Sequence, residues 1–147
     1  MNDELKNRKY DLQERLIQFA ILIIKITDSL FDTRVGNHVA GQLVRSGTHP
    51  ALHYGEAQSA ESRQDFIHKL KVLLKELRET NNALKISKKA LLFTKMQLVD
   101  QAIPECNELI SIFVKSISTA EENLRREKSV KNRASSSSIE PSSKKHS

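Results

Sequence analysis

The sequence predicts an all-α fold, an antiparallel up-down four-helix bundle. Only four glycines and three prolines occur in 147 residues, so long helices meet few interruptions. Apolar residues recur at steps of three and four in four successive segments, and few stretches alternate as strands do. The segments are joined by short connections, which make successive helices antiparallel neighbours.

Each predicted segment carries an apolar stripe along one helical face. The segments are residues 12–31, 35–59, 62–88 and 95–124. In the third segment, Ser62 followed by Asp65 resembles a capping box, and Glu76 is expected to face away from the core. In the fourth, Cys106 lies in register with the stripe, which predicts a buried small hydrophobe.

The second segment holds all four glycines of the chain (Gly36, Gly41, Gly47 and Gly55) and also Pro50. Within a helix, glycine costs about 1 kcal/mol relative to alanine and proline about 3 kcal/mol. We therefore expect a second helix that is kinked near residues 48–50 and sustained by tertiary packing. The small residues either let helices approach closely or bend the helix to shape an assembly surface.

The excess charge lies at the C-terminal end. The formal net charge is +6, of which residues 125–147 contribute +5 through seven basic and two acidic side chains, leaving +1 on the first 124 residues. That end is rich in serine and lacks an apolar pattern. We therefore expect a bundle domain over residues 1–124 and a disordered basic tail over residues 125–147.

A cytoplasmic location is expected. One cysteine cannot form a disulfide within its own chain, which favours a reducing compartment. The N-terminus is charged and lacks a signal-peptide pattern, and the apolar run over residues 19–24 is too short to span a bilayer.

A series of linked motifs runs from the second to the third segment. The motifs are QLVRSGT at residues 42–48, GEA at residues 55–57, the pattern Ser62, Asp65, Phe66, Ile67, Lys69, Leu70, and then Leu74, Lys75, Glu76, Leu77, Glu79, Thr80. In their order and spacing they resemble the four helix bundle protein family, also known for the protein encoded within intervening sequences of 23S ribosomal RNA genes. A more distant similarity is to the accessory variability determinant of diversity-generating retroelements, a basic protein that partners a reverse transcriptase and nucleic acid. His53 departs from the pattern, since relatives more often have asparagine there.

The resemblance implies an antiparallel four-helix bundle that assembles as a ring-shaped homopentamer. It brings no catalytic residue, and RNA binding is an expectation attached to the gene context of the family. The residues agree with a non-enzymatic role, because no Walker loop, nucleophile elbow or His-Glu-x-x-His motif is present.

The second segment contains two candidate sites, one for a metal ion and one for phosphate. His49, His53 and Glu56 have a spacing that can contribute metal ligands, but Pro50 stands between the histidines and the paired motifs of a di-iron bundle are missing. We therefore expect no metal and no cofactor. Arg45 either makes a structural ion pair or lines a surface that meets phosphate.

The candidate nucleic-acid-binding residues are basic. They are Arg45, Lys85, Lys88, Lys89, Lys95, Arg125, Arg126 and Lys128. The four lysines surround the turn between the last two helices, where they either complement a helix dipole or form a positive collar around a ring. The leading hypothesis is a non-catalytic homo-oligomeric bundle that binds RNA or another polyanion through backbone electrostatics. The alternative is a protein-binding scaffold with no nucleic-acid role.

Overall fold

The computed structural model describes the backbone of residues 2–139 and the side chains of residues 11–137. The chain forms four helices in the order α1 (Asn2–Thr27), α2 (Arg34–Gln58), α3 (Arg63–Lys89) and α4 (Met96–Ile139). Each helix packs against the next along the chain, and α4 returns to α1 with the least extensive of the four contacts. The predicted all-α four-helix bundle is confirmed.

The connections at one end of the bundle tie the first and last helices together. The link between α1 and α2 runs beside the link between α3 and α4, where Leu30 and Phe93 form an antiparallel bridge. Phe31 donates its N–H to the carbonyl of Leu92 at 2.9 Å, and Thr94 donates to the carbonyl of Ser29 at 2.7 Å. Backbone pairing therefore closes the bundle where α1 meets α4.

The core consists of the apolar stripes that the periodicity predicts. The most deeply buried large side chains are Leu16, Phe19, Ile23 and Ile26 of α1, Leu43 of α2, Leu70, Leu73, Leu77 and Leu84 of α3, and Val99, Leu109 and Phe113 of α4. Phe113 meets Tyr54 edge to face, with ring centroids 5.7 Å apart, so α4 and α2 touch across the centre.

Local side-chain contacts begin α2 and α3. The hydroxyl oxygens of Thr33 and Ser62 accept the backbone N–H groups of Gly36 and Asp65, respectively, each at 3.0 Å. These bonds satisfy amides that have no partner inside the helix. The predicted Ser62 cap is confirmed.

Helix α3 ends in a Schellman arrangement. Leu92 donates to the carbonyl of Ser87 and Leu91 donates to that of Lys88, at 3.0 and 3.1 Å. Leu91 has a φ of 57°, a conformation in which glycine is the usual residue, and its side chain is exposed. Because the Leu91 side chain is exposed, its packing does not offset the strain of this backbone conformation.

Close packing explains one glycine of α2. A Cβ on Gly47 would lie 2.6 Å from Cγ2 of Ile23, so Gly47 lets α1 and α2 approach closely. A Cβ on Gly41 would meet nothing within 4 Å. The helix continues through the buried Pro50 to Gln58, so tertiary packing sustains it as expected.

Two features differ from the sequence-based expectations. Glu76 was expected to face solvent, but it is buried, because it shares the inner face of α3 with Leu73 and Thr80 and faces α2. Helix α4 also continues beyond Leu124 to Ile139, whereas a disordered tail was expected from residue 125. This extension has exposed side chains over residues 125–137 and buries no core surface, which is why its apolar pattern is absent. Residues 140–147 of the predicted tail lie outside the described residues.

No helix within residues 2–139 combines the length and apolar character needed to cross a bilayer. The longest, α4, has 44 residues, but its last third is the basic, serine-rich extension.

Cys106 is fully buried, which confirms its prediction as a small hydrophobe. Its thiol donates to the carbonyl of Leu77 at 3.2 Å. Burial, opposed in part by the nearby charge of Lys85, raises the pKa of this thiol from 9.0 to about 12.

The raised pKa predicts a loss of stability in alkali. Between pH 9 and pH 12 the native thiol keeps its proton while the unfolded thiol loses it, so the free energy of unfolding falls as the pH rises. From pH 9 to pH 10.5 this one group should remove about 2 kcal/mol. Urea unfolding at the two pH values measures the fall, and Cys106→Ala should reduce the fall by that amount. Equal falls in both proteins would contradict the assignment.

Candidate functional site

A cluster of polar side chains lies at the interface between α2 and α3. Arg45 of α2 places Nη1 3.9 Å from Oε1 of Glu76 and Nη2 3.8 Å from Oε2 of Glu79, both on α3. The guanidinium is half exposed, but both of its near neighbours are carboxylates of its own chain. This placement favours the structural role for Arg45 over a role in binding phosphate.

Ser46, the residue after Arg45, forms a buried pair of hydroxyl groups with Thr80. The Thr80 hydroxyl oxygen lies 2.9 Å from both the Ser46 hydroxyl oxygen and the carbonyl oxygen of Glu76. A hydroxyl has one hydrogen, so Thr80 satisfies the carbonyl by donating to it and accepts the hydrogen of Ser46. This contact joins α2 to α3 within the family-like motifs and explains their serine and threonine.

The two histidines of α2 lie side by side on the same interface. Their rings meet at 5.6 Å between centroids with an interplanar angle of 88°, so Pro50 does not break the face that they share. Glu56, the carboxylate that the sequence suggested as their companion, lies 3.7 Å from Nδ1 of His53 and is largely exposed. Glu76, in contrast, lies within 4.8 Å of both histidines, and its Oε1 is 3.8 Å from Nδ1 of His49.

Among the described residues, His49, His53 and Glu76 form a group that could hold a metal ion. One ligand atom from each lies within 4.8 Å of the other two. Sequence reasoning missed Glu76 because it lies on a different helix from the histidines. The available signal was its register, since Glu76 is three residues after Leu73 and four before Thr80, on the buried stripe.

The lysines near the turn between α3 and α4 are only partly free. Lys88 donates to Oδ1 of Asp100 at 2.7 Å. Lys85, Lys89 and Lys95 have no acidic partner in the described part of the chain. Three uncompensated charges therefore remain at this end of the bundle, beside the exposed side chains of Ile86 and Leu91.

The C-terminal extension of α4, defined as residues 125–139, carries a denser set of free charges. Its acid Glu127 is paired with Arg63 at 2.7 Å, and Arg126 is paired with Glu122 at 3.0 Å. Within residues 11–137, no acidic side chain pairs with Arg125, Lys128, Lys131 or Arg133. Arg125, Lys128 and Arg133 share one helical face with Ser129, Asn132 and Ser136.

The two basic surfaces lie at opposite ends of the bundle. The lysines surround the start of α4 at Met96, whereas the extension begins after Leu124. At 1.5 Å per residue these points are about 42 Å apart along α4. The chain therefore does not combine the predicted lysine collar and the basic C-terminal residues into one surface.

No protein-family model and no curated protein matches the chain. Among solved structures, the chain is similar to a protein with unknown function from the S23 ribosomal protein family of Bacteroides thetaiotaomicron VPI-5482. The two share 26% sequence identity and a TM-score of 0.66. The similarity covers 72% of this chain and 97% of that one, so it supports the bundle over most of its length.

Proposed function

We propose that the chain is a non-catalytic helical bundle that binds RNA or another polyanion through the C-terminal extension of α4. The observation that carries this proposal is the set of four basic side chains on residues 125–133 without acidic partners among the described residues. They project from the part of α4 whose side chains are exposed over residues 125–137.

The geometry suits phosphates better than bases. The four charges lie within nine residues, or about 12 Å of helix, a length over which a nucleic-acid backbone presents several phosphates. Serine and asparagine side chains on the same face can donate further hydrogen bonds to phosphate oxygens. Aromatic side chains, which stack on bases in single-strand binding, are absent from the sequence of the extension. Binding through backbone electrostatics follows from this set of groups.

We further propose that the chain is a member of the four helix bundle protein family and that it is located in the cytoplasm. We also propose that it assembles into a homo-oligomer, for which the resemblance implies a pentamer. Supporting self-association, Ile17, Ile21 and Ile24 expose 38, 39 and 45% of their surface along one face of α1. Exposed apolar residues in a row are typical of a contact surface.

A titration of structured RNA across a salt series tests the binding proposal. The variant Arg125→Gln, Lys128→Gln, Lys131→Gln, Arg133→Gln should lower the slope of log affinity against log salt by about 3 units, because four phosphate contacts are lost. The matched control replaces Lys85, Lys88, Lys89 and Lys95 by glutamine, which removes equal charge at the other end. The control should keep most of the slope. A mobility-shift assay at each salt concentration gives both values.

Three results would overturn the proposal. The wild-type chain could fail to bind RNA at low salt, both variants could bind as the wild type does, or the lysine variant alone could lose binding. Light scattering of the same samples establishes the oligomeric state, so that loss of binding is separated from loss of assembly. A monomer would refute the ring.

A protein-binding scaffold is the second candidate function. It is favoured by a cleft of about 800 Å³ beside the contact between α1 and α4, which is the least extensive helix contact, with side chains of α2 and α3 also lining the cleft. Leu12, Tyr54, Phe66, Ile112 and Ala120 contribute apolar surface to the cleft. An apolar groove between two helices suits an amphipathic partner helix. A chain that assembles but binds no polyanion at low salt would favour this candidate.

A further inference from the structure

The carboxylate of Glu76 is buried with unused hydrogen-bonding capacity. Glu76 is 9% exposed, and its Oε2 atom has no hydrogen-bond partner among the described residues. Its other oxygen, Oε1, lies 3.9 Å from Nη1 of Arg45 and 3.8 Å from Nδ1 of His49, both beyond hydrogen-bond range. A buried carboxylate is costly without close partners, and these distances show that neither neighbour has closed on it.

Two imidazoles face this carboxylate from the opposite helix. His49 and His53 stand four residues apart on α2, the spacing that places two ring nitrogens on one helical face. Their side chains are 37 and 25% exposed, so an ion from solvent can reach them. The three residues thus combine a buried anchoring carboxylate with two accessible nitrogen ligands.

The charge around the group is negative when the histidines are neutral. Glu56, Glu76 and Glu79 are the carboxylates, and Arg45 is the guanidinium that lies between two of them. The balance is two negative charges, which a single divalent cation would neutralise. Arg45 also lies 3.8 Å from Glu79, so it keeps a carboxylate neighbour when Glu76 binds a metal ion.

We propose that His49, His53 and Glu76 form a binding site for a divalent transition-metal ion, with Zn²⁺ as the first choice. Two imidazoles and one carboxylate are a ligand set that Zn²⁺ takes with bond lengths near 2.0–2.2 Å, with a fourth position open to water. Such bonds place neighbouring ligand atoms about 3.4 Å apart, so the observed group must close by about 1 Å through side-chain rotation. Oε2 of Glu56 lies 3.7 Å from Nδ1 of His53, just beyond hydrogen-bond range, so a small side-chain rotation would let it accept the Nδ1–H when Nε2 takes the metal.

This site goes beyond the proposed function, since it lies at the α2–α3 interface and shares no residue with the extension of α4. A metal here would link two helices of the bundle, and its open position would accept a further ligand from water or from a partner. The alternative use of the same residues is an ion pair between protonated His49 and Glu76, and the experiment separates the two.

Titration of the full-length, untagged, chelator-treated chain with Co²⁺ tests the site. Binding should give one equivalent per chain with the visible absorption bands of a tetrahedral ion, and an equivalent of Zn²⁺ should abolish them. Glu76→Gln keeps the shape of the side chain and removes its charge, and it should weaken Co²⁺ binding at least tenfold. His49→Ala and His53→Ala should each do the same. Far-UV circular dichroism of every variant checks that the bundle is folded.

The matched controls are His38→Ala on α2 and His68→Ala on α3, both exposed histidines outside the group. They should bind Co²⁺ as the wild type does. The proposal is overturned if the wild-type chain shows no saturable one-to-one binding, or if Glu76→Gln binds Co²⁺ as tightly as the wild type. Loss of the signal only in a control variant would also overturn it, since the ion would then lie elsewhere.

Discussion

Replacing Phe113 by alanine should lower the free energy of unfolding by about 3–5 kcal/mol. The Phe113 side chain is fully buried and meets Tyr54 edge to face across the centre of the bundle. Its removal takes away both the burial of a large aromatic ring and the contact between α4 and α2. The surrounding close-packed helices relax only partly into the space that the ring leaves.

Urea unfolding followed by circular dichroism measures this loss. Val114→Ala is the matched control, because it is the next residue on the same helix and its side chain is 43% exposed. It should cost about 1 kcal/mol or less. Equal losses at the two positions would mean that α4 does not present the observed face to the core.

Replacing Gly47 by alanine should destabilise the bundle relative to the same replacement at Gly41. A Cβ on Gly47 would lie 2.6–2.9 Å from three side-chain carbons of Ile23, which is itself fully buried. At Gly41 the added methyl group meets nothing within 4 Å. Both variants gain about 1 kcal/mol of helix propensity, so their difference isolates the cost of overpacking, about 1–3 kcal/mol.

Thermal unfolding of the two variants side by side gives this difference. Gly41→Ala should unfold at a higher temperature than the wild type and Gly47→Ala at a lower one. If both were stabilised, α1 would not approach α2 as closely as the structure shows. That result would favour the alternative role of the glycines, in which they bend α2 and so shape an assembly surface.

The helix limits show where sequence reasoning succeeds. The predicted third segment, residues 62–88, differs by one residue at each end from Arg63–Lys89, because Ser62 caps the helix through a bond to an amide three residues away. The limits of α1 and α4 were missed. α1 begins at Asn2, ten residues before the first predicted apolar position, and α4 extends fifteen residues beyond the last. These stretches carry no apolar stripe, so periodicity gave no signal for them.

At the candidate sites, the sequence alone does not predict which side chains come together. The i,i+4 spacing of His49 and His53 was visible in the sequence, but their third companion, Glu76, was assigned to the solvent side. The basic residues at the two ends of α4 are candidate nucleic-acid-binding residues on sequence grounds, but a helix of this length keeps the two groups about 42 Å apart.

Composition and local patterns are enough to predict the fold class, the apolar faces of all four helices, the capping of α3 and the location of the excess charge. These features depend on residues within about four positions of one another, or on composition alone. Three contacts depend on how the helices pack: Arg45 lies beside Glu76 and Glu79, Glu76 lies beside the histidines, and Cys106 donates to the carbonyl of Leu77. Each of these contacts joins two helices. The register of neighbouring helices is set by packing across each interface, as between Gly47 of α2 and Ile23 of α1, and no local pattern encodes it.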